Sequence, residues 1–262
     1  VEAVYKGREK TTEGVVSFLN KVCEVELEPY IESSYQELAD YVNAYDQKMI
    51  MKRENIADRG IWTAKKRYIL NVWDSEGVRY EKAKLKIMGI EAIKTSTPAP
   101  CRKFLKDAFG LLMTGTEDEV IDYIEQCREE FKSLPPEEVA FPRSLSNVEK
   151  WKSSSNMYEK GCPIHVRGAI LYNHYVKKKD LDNKYAAIQN GEKIKFCYLK
   201  TPNWMHENVI SFIQDFPTEL DLNKYVDYEL QFNKSFMEPI KVILDCIGWE
   251  TERKNTLDSF FA

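Results

Sequence analysis

Three consecutive cations, Lys65, Lys66 and Arg67, lie inside an otherwise apolar stretch that reads WTAKKRYILNVWD over residues 62–74. Lysine and arginine at this density bind polyanions such as the phosphate backbone of a nucleic acid. A second run of cations follows in alternation with apolar residues, at Lys82, Lys84 and Lys86. Lysines that protect an exposed sheet edge from aggregation give the same pattern. A phosphate-binding surface and a solvated strand edge are therefore both open.

The distribution of charge favours a local anion-binding surface. The whole chain carries 38 Lys and Arg against 42 Asp and Glu, which is a net charge of −4. Residues 48–106, however, hold 15 Lys and Arg against 6 Asp and Glu, so the remainder of the chain is strongly acidic. A basic surface on an acidic body is typical of proteins that bind an anionic partner with one face.

Sequence motifs for most other chemistry are absent. The chain has no glycine-rich phosphate loop, no G-x-S-x-G, no H-E-x-x-H and no C-x-x-C. We interpret Asp180–Asp182, a D-x-D pair in a lysine-rich loop, as a solvated turn. Glu54 is a candidate carboxylate near a metal site, although two-metal chemistry needs further carboxylates. An ion pair between Glu54 and Arg53 or a neighbouring lysine explains it equally well.

The pattern in the first third of the chain predicts a helical region followed by three strands. Apolar residues recur every three or four positions over residues 12–45, with Thr11 or Thr12 as the cap. Pro29 should break or kink this region, which gives two helices or one bent helix. The predicted strands are Lys48–Ile56, Trp62–Trp73 and Val78–Ile87, joined by turns at Asp58–Gly60 and Asp74–Gly77. In this arrangement Lys65 and Arg67 share one strand face, and Lys66 shares the other with Tyr68.

The remainder of the chain is predicted to be mostly helical, which gives an α+β protein overall. Thr97-Pro98 begins a helix, Thr116–Glu119 is a capping box, and Pro135-Pro136 ends the helix that follows. Residues 165–172 and 193–199 are predicted strands, and residues 221–246 a helix. Because no apolar run is long enough to span a bilayer, and no signal peptide pattern is present, we expect a soluble intracellular protein.

Several of these segments resemble a known family. WTAKKRYILNVWD over residues 62–74, KLKIMGIE over 84–91, KTSTP over 94–98 and CPIHVRGAILYN over 162–173 closely resemble the C-terminal part of replicative DNA polymerases of family B, of the T-even bacteriophage type. The resemblance implies antiparallel palm strands with packed helices in residues 1–91, and a mostly helical thumb with a small β part in residues 92–253. It also implies a clamp-binding tail in residues 254–262 and a location in the cytoplasm of the infected bacterium.

The resemblance assigns roles to particular residues. Lys66 would hydrogen-bond acceptors in the minor groove of the new duplex, whose positions are similar for every correct base pair. Tyr68 would position the primer terminus, while Lys65 and Arg67 would bind phosphate or pair internally. The further residues implied at the duplex are Lys84, Lys86, Lys94, Lys160, His165 and Arg167. Glu54 would lie near the metals, but Lys52 stands where a relative has Asp.

The resemblance also implies parts that this chain lacks. The aspartates that bind two Mg²⁺ ions, the fingers and the exonuclease would lie upstream, so we expect the chain alone to be an inactive polymerase fragment or split subunit. Its expected partners are primer–template DNA, the polypeptide or domains carrying those aspartates, and a sliding clamp. Leu257, Phe260 and Phe261 would fill a groove of the clamp, or else fold back onto the thumb. A non-catalytic DNA- or clamp-binding module derived from a polymerase is the alternative.

Overall fold

A computed structural model describes residues 11–153 and 156–253, and it has the expected α+β class. The helices are α1 Thr12–Val22, α2 Glu28–Tyr41, α3 Ala99–Thr114, α4 Glu117–Ser133, α5 Pro136–Val139, α6 Val148–Trp151, α7 Ile164–Lys178, α8 Tyr228–Phe232 and α9 Glu238–Ile247. The strands are β1 Asn55–Ala64, β2 Arg67–Ser75, β3 Val78–Met88, β4 Phe141–Ser144, β5 Lys193–Tyr198 and β6 Val209–Phe212.

The six strands form two separate sheets, in the orders β1-β2-β3 and β4-β5-β6. Two-residue connections join the first three strands, and connections this short require antiparallel neighbours. In the second sheet β5 pairs antiparallel with both β4 and β6.

The chain divides into two compact units. The first unit consists of the residues up to Ile61 together with Ile69–Lys86, and the second consists of Trp62–Tyr68 together with the residues from Ile87 onward. The tip of the β1–β2 hairpin therefore belongs to the second unit.

Helices α1 and α2 of the first unit are joined by one wide helical turn. Thr11 caps α1 by accepting a hydrogen bond from the backbone N–H of Gly14, as predicted. The wide turn spans Cys23–Leu27, and Pro29 follows within the first turn of α2, so the change of helix type lies just before the proline at which a break or kink was predicted. The chain is helical on both sides of the turn.

Several predictions of secondary structure were wrong. Residues 48–54 have no regular structure, and the strand that was expected from Lys48 begins at Asn55. Residues 58–60 lie inside β1 and form no turn. Residues 165–172, predicted as a strand, lie in α7, where Val166, Ala169 and Ile170 are buried at helical spacing. The short apolar run was compatible with both periods.

The second unit contains the larger core. Helix α4 begins at the predicted capping box of Thr116 and Glu119 and packs on α3 and α8. Helix α7 covers the second sheet, and its closest approach is at Gly168. A Cβ at this position would lie 2.4 Å from the Ser211 hydroxyl oxygen, so only glycine fits. Ser211 also donates to the His165 carbonyl at 2.9 Å, which fixes the start of α7 on β6.

None of the helices in the described ranges combines the length and the apolar character needed to cross a membrane.

Candidate nucleic-acid interface

The two lysines Lys65 and Lys66 form the turn between β1 and β2, and do not lie within a strand as expected. Lys66 has a φ of +62°, a left-handed conformation that residues other than glycine adopt mainly in turns. Both side chains are exposed, and neither forms an ion pair with another described residue. Lys66 therefore does not share a strand face with Tyr68.

Gly89 holds this turn in place by close backbone contact. It has a φ of +68°, and a Cβ built on it would lie 2.2 Å from the carbonyl oxygen of Lys66. Any side chain at residue 89 would force the turn to move. The glycine of the sequence MGI is therefore required here, because it allows the end of β3 to approach the lysine turn.

Arg67 is braced by Glu91 immediately beside the turn. Its guanidinium makes two hydrogen bonds to the carboxylate, at 2.9 and 3.3 Å, and the Lys94 ammonium lies 2.7 Å from the same carboxylate. Burial alone would raise the pKa of Glu91, but the bonds from Lys94 and Arg67 outweigh it and hold this pKa below its usual value. Of the two possibilities for Arg67, the structure contains the internal pairing.

Glu54 is an exposed carboxylate that pairs with Lys86. The hydrogen bond and the charge of Lys86 hold the pKa of Glu54 below its usual value. Among the described residues no group of three or more His, Cys, Asp or Glu side chains is placed to hold a metal ion. The residues around Glu54 therefore do not fit a magnesium site on their own. Lys84 is exposed, and its ammonium lies 4.1 Å from the centre of the Tyr80 ring.

Three of the predicted residues, Lys160, His165 and Arg167, lie in the loop before α7 or in its first turn. Lys160 is exposed in the loop before the helix. His165 is half-buried, and burial together with the nearby Arg143 charge lowers its pKa. Arg167 donates to the Asn208 side chain and lies 3.8 Å from Glu207, so it is already engaged within the unit. Tyr68, at the hairpin, is also half-buried.

Sequence reasoning missed a further cationic cleft. Arg143 of β4 is paired with Ile194 of β5, next to Lys193, and the two cations line a cleft of about 290 Å³ together with Thr95 and Ser96. Arg143 donates to the Ser96 carbonyl at 2.8 Å. These residues lie far apart in the chain, and no motif connects them, so only the strand pairing reveals the cleft.

The predicted clamp-binding residues Leu257, Phe260 and Phe261 lie outside the described residues.

Comparison with known proteins supports the resemblance stated from the motifs. No protein-family model matches the chain. Across its whole length the chain is 30% identical to the DNA-directed DNA polymerase of Enterobacteria phage T4, and 31% identical to that of Escherichia phage RB69. It spans about 30% of the length of these relatives. The chain is therefore related, from one end to the other, to the DNA-directed DNA polymerases of T-even-type bacteriophages.

Proposed function

We propose that the chain is the partial palm and the thumb of a DNA-directed DNA polymerase of family B, and that it holds primer–template duplex while nucleotides are added. The observation that carries this proposal is the exposed Lys65–Lys66 turn, in a chain related over its whole length to phage polymerases. A replicative polymerase must hold duplex of any sequence, and contacts to backbone phosphates provide this.

The geometry of the turn suits a DNA-binding element that is preorganised in the absence of DNA. Gly89 fixes the backbone of Lys66, and the bonds from Glu91 fix Arg67 at the base of the hairpin. The lysine amines at the tip are free to reach a ligand. In this proposal Lys66 reaches minor-groove acceptors, Lys65 binds phosphate, and Tyr68 supports the primer end.

The roles of the remaining cations in the proposal depend on whether each is exposed or already paired within the chain. Lys84 and Lys160 are exposed and bind phosphate directly. Lys86, Lys94 and Arg167 are engaged by carboxylates or an amide, so they approach DNA only as parts of those networks. His165 contributes through its position on the first turn of α7, where backbone N–H groups favour an anion.

Catalysis in this proposal requires more than this chain. The aspartates that bind Mg²⁺ lie in a polypeptide or in domains that the chain does not include, and the magnesium ions would supply the electrostatic stabilisation of phosphoryl transfer. Glu54 lies near that site. A sliding clamp binds Leu257, Phe260 and Phe261. The chain alone is expected to incorporate no nucleotide, and incorporation by the purified chain would contradict this.

The grip on DNA is tested by fluorescence anisotropy of a labelled primer–template over a salt series. The Lys65→Gln/Lys66→Gln variant removes two exposed charges and leaves the Arg67–Glu91 brace in place. We expect weaker binding, because both contacts are lost, and a log–log salt slope that is shallower by about 0.9, because Lys65 is the one that binds phosphate in this proposal.

The matched control is Lys177→Gln/Lys178→Gln, which removes two neighbouring exposed charges at the end of α7. It should leave the slope unchanged. Equal loss in both double variants would mean that the turn is not a specific contact, and absence of binding at low salt would contradict the grip. The alternative function, a non-catalytic module, predicts the same DNA binding but no polymerase activity when the missing polypeptide is supplied.

A further inference from the structure

Helix α2 exposes an apolar face. Tyr30, Leu38, Tyr41 and Val42 fall within an arc of about 120° around the helix axis. Tyr30 is 72% exposed and Tyr41 is 85% exposed. The neighbouring arc of the same helix, around Ala39, is the one that packs on the protein. The exposed arc is therefore additional to the face that the helix uses within its own unit.

The segment that follows α2 extends this surface. Met49, Ile50 and Met51 are all exposed, and Tyr45 is fully so. The Tyr35 hydroxyl lies 4.0 Å from the Met51 sulfur, and the backbone N–H of Arg53 donates to Glu28 at 3.2 Å, so the segment lies along α2. We call the exposed apolar residues of α2 and of this segment, together, the α2 surface.

The same segment has the composition of a strand but lacks a strand partner. Its residues Lys48–Ile56 read as a strand, yet regular structure begins only at Asn55. Within the described part of the chain, the backbone of residues 45–52 makes no hydrogen bond to another backbone group. The Gln47 side chain bonds the N–H and the carbonyl of Met49, but the segment has no partner strand. A segment with β character and no partner strand is a site where a strand from another polypeptide can add.

The exposed apolar area of the α2 surface is large for a surface that stays in contact with water. Its three tyrosines alone expose on the order of 500 Å². The largest apolar patch on a typical monomer is about 300–600 Å² in total. The leucine, valine, methionine and isoleucine side chains add to the tyrosines, so the surface has the size and the aromatic content of an interface.

Charge around the α2 surface decides between possible occupants. Residues 23–41 contain six acidic residues and no lysine or arginine; the acidic residues are Glu24, Glu26, Glu28, Glu32, Glu37 and Asp40. The segment after α2 adds Asp46 and the exposed cations Lys48 and Lys52, so the acidic charge is on the helix. A second copy that docks helix against helix would bring these carboxylates together, which is unfavourable. The fitting occupant has an apolar centre, a basic rim and an exposed strand edge.

We propose that the α2 surface docks the part of the polymerase that the phage relatives contain and this chain does not. The relatives are more than three times as long as this chain, so most of their length is available to cover it. In this arrangement residues 48–52 pair with a strand of the docked part, and α2 packs its tyrosines against the same part. The inference rests on the proposed function, and it adds the surface through which the two parts join.

The test uses the polypeptide, encoded by the same genome, that matches the region of the phage polymerases outside this chain. The two parts are expressed separately and mixed, and the complex is measured by size-exclusion chromatography with light scattering. We expect a one-to-one complex. In that complex the amides of residues 48–52 should exchange hydrogen more slowly than in the free chain.

Two substitutions on α2 separate the docking face from the rest of the helix. Tyr41→Glu places a carboxylate within the α2 surface and should weaken the complex at least tenfold. Ser33→Glu places the same carboxylate on another exposed side of α2 and should leave the affinity unchanged. Both positions are exposed, and circular dichroism should show that both variants keep the helical content of the wild type.

Several outcomes overturn the docking proposal. They are the absence of a matching polypeptide in that genome, no complex on mixing, equal affinity of the Tyr41→Glu and Ser33→Glu variants, and a dimer of this chain that Tyr41→Glu dissociates. The last outcome identifies a second copy as the occupant. DNA binding by the same variants keeps the two proposals apart. Tyr41→Glu should keep the primer–template affinity of the wild type, whereas Lys65→Gln/Lys66→Gln should lose it and still form the complex.

Discussion

Helices α2 and α4 have similar lengths but opposite relations to the protein around them. Helix α4 has 17 residues and buries Val120, Ile121, Ile124, Cys127 and Phe131. Helix α2 has 14 residues and buries Ala39, while Tyr30 and Tyr41 face outward. Both helices have apolar residues at helical spacing, so periodicity does not distinguish them. The difference is that α4 is covered by other helices of this chain, whereas in the docking proposal the exposed face of α2 is covered by the missing part of the polymerase.

The largest effect in this comparison is expected from α4. Phe131 is fully buried, with the Phe232 and Tyr228 rings at 5.3 and 6.2 Å. Phe131→Ala should lower the free energy of unfolding of the second unit by about 3–5 kcal/mol, because it removes apolar burial and leaves a cavity. Urea denaturation followed by circular dichroism measures the loss. Glu125→Ala, on the exposed side of the same helix, should change stability by less than about 0.5 kcal/mol.

A similar loss for both α4 variants would contradict the view that α4 is stabilised by its own chain.

The first unit is stabilised by charge where it lacks a large core. Asp74 is buried, pairs with Arg53 at 2.7 Å and with Arg79 at 3.2 Å, and accepts the backbone N–H of Gly77 at 3.1 Å. Asp74→Ala should destabilise this unit by about 3 kcal/mol, because Arg53 is then left buried without its partner. The fluorescence of the adjacent Trp73 during urea denaturation reports on the unit.

Asp58→Ala is the matched control for this prediction, because Asp58 is exposed and bonds only to the Asn71 side chain among the described contacts. It should have little effect.

The contribution of Asp74 to the stability of the first unit should also depend on pH. Burial alone would raise the pKa of Asp74, but the bonds from Arg79 and Arg53 hold it below its usual value. This stability is present above about pH 4 and is lost as the pH falls through the folded-state pKa.

A smaller effect is expected at the base of the lysine turn. Glu91→Gln removes the carboxylate shared by Arg67 and Lys94 and should destabilise the second unit by about 1–2 kcal/mol. Because the folded-state pKa of Glu91 is lowered, its contribution is present above about pH 4.5 and is lost at lower pH. The difference between wild type and Glu91→Gln should therefore vanish in acid. A difference that persists at pH 2 would contradict this assignment.

The sequence predicted elements whose determinants are local. Thr11 and the Thr116–Glu119 box mark helix starts because a cap is made by neighbouring residues. The sequence did not predict correctly those elements whose conformation depends on a residue or strand far away in the chain. Lys48–Ile56 has strand composition, but pairing needs a second strand. The lysine run was placed inside a strand because composition does not reveal a turn in which Lys66 adopts a positive φ.

The candidate site was predictable to the same extent. Its cations are visible in the sequence, and the motifs around them identify the relatives. Their partners are not visible, because Glu91 reaches Arg67 from 24 residues away and Lys86 reaches Glu54 from 32 residues away. Only the fold separates the free lysines of the turn from cations that are already paired.

The smallest effect on stability is expected from Tyr41→Ala in α2. Tyr41 is 85% exposed and is therefore solvated in both the folded and the unfolded chain. Its truncation should change the free energy of unfolding by less than about 0.5 kcal/mol in urea denaturation. Yet the same truncation should weaken the complex with the missing part of the polymerase, since an exposed tyrosine at the centre of an interface contributes strongly to binding. A loss of stability as large as that of Phe131→Ala would place Tyr41 in the core of the free chain, and the contrast between α2 and α4 would then fail.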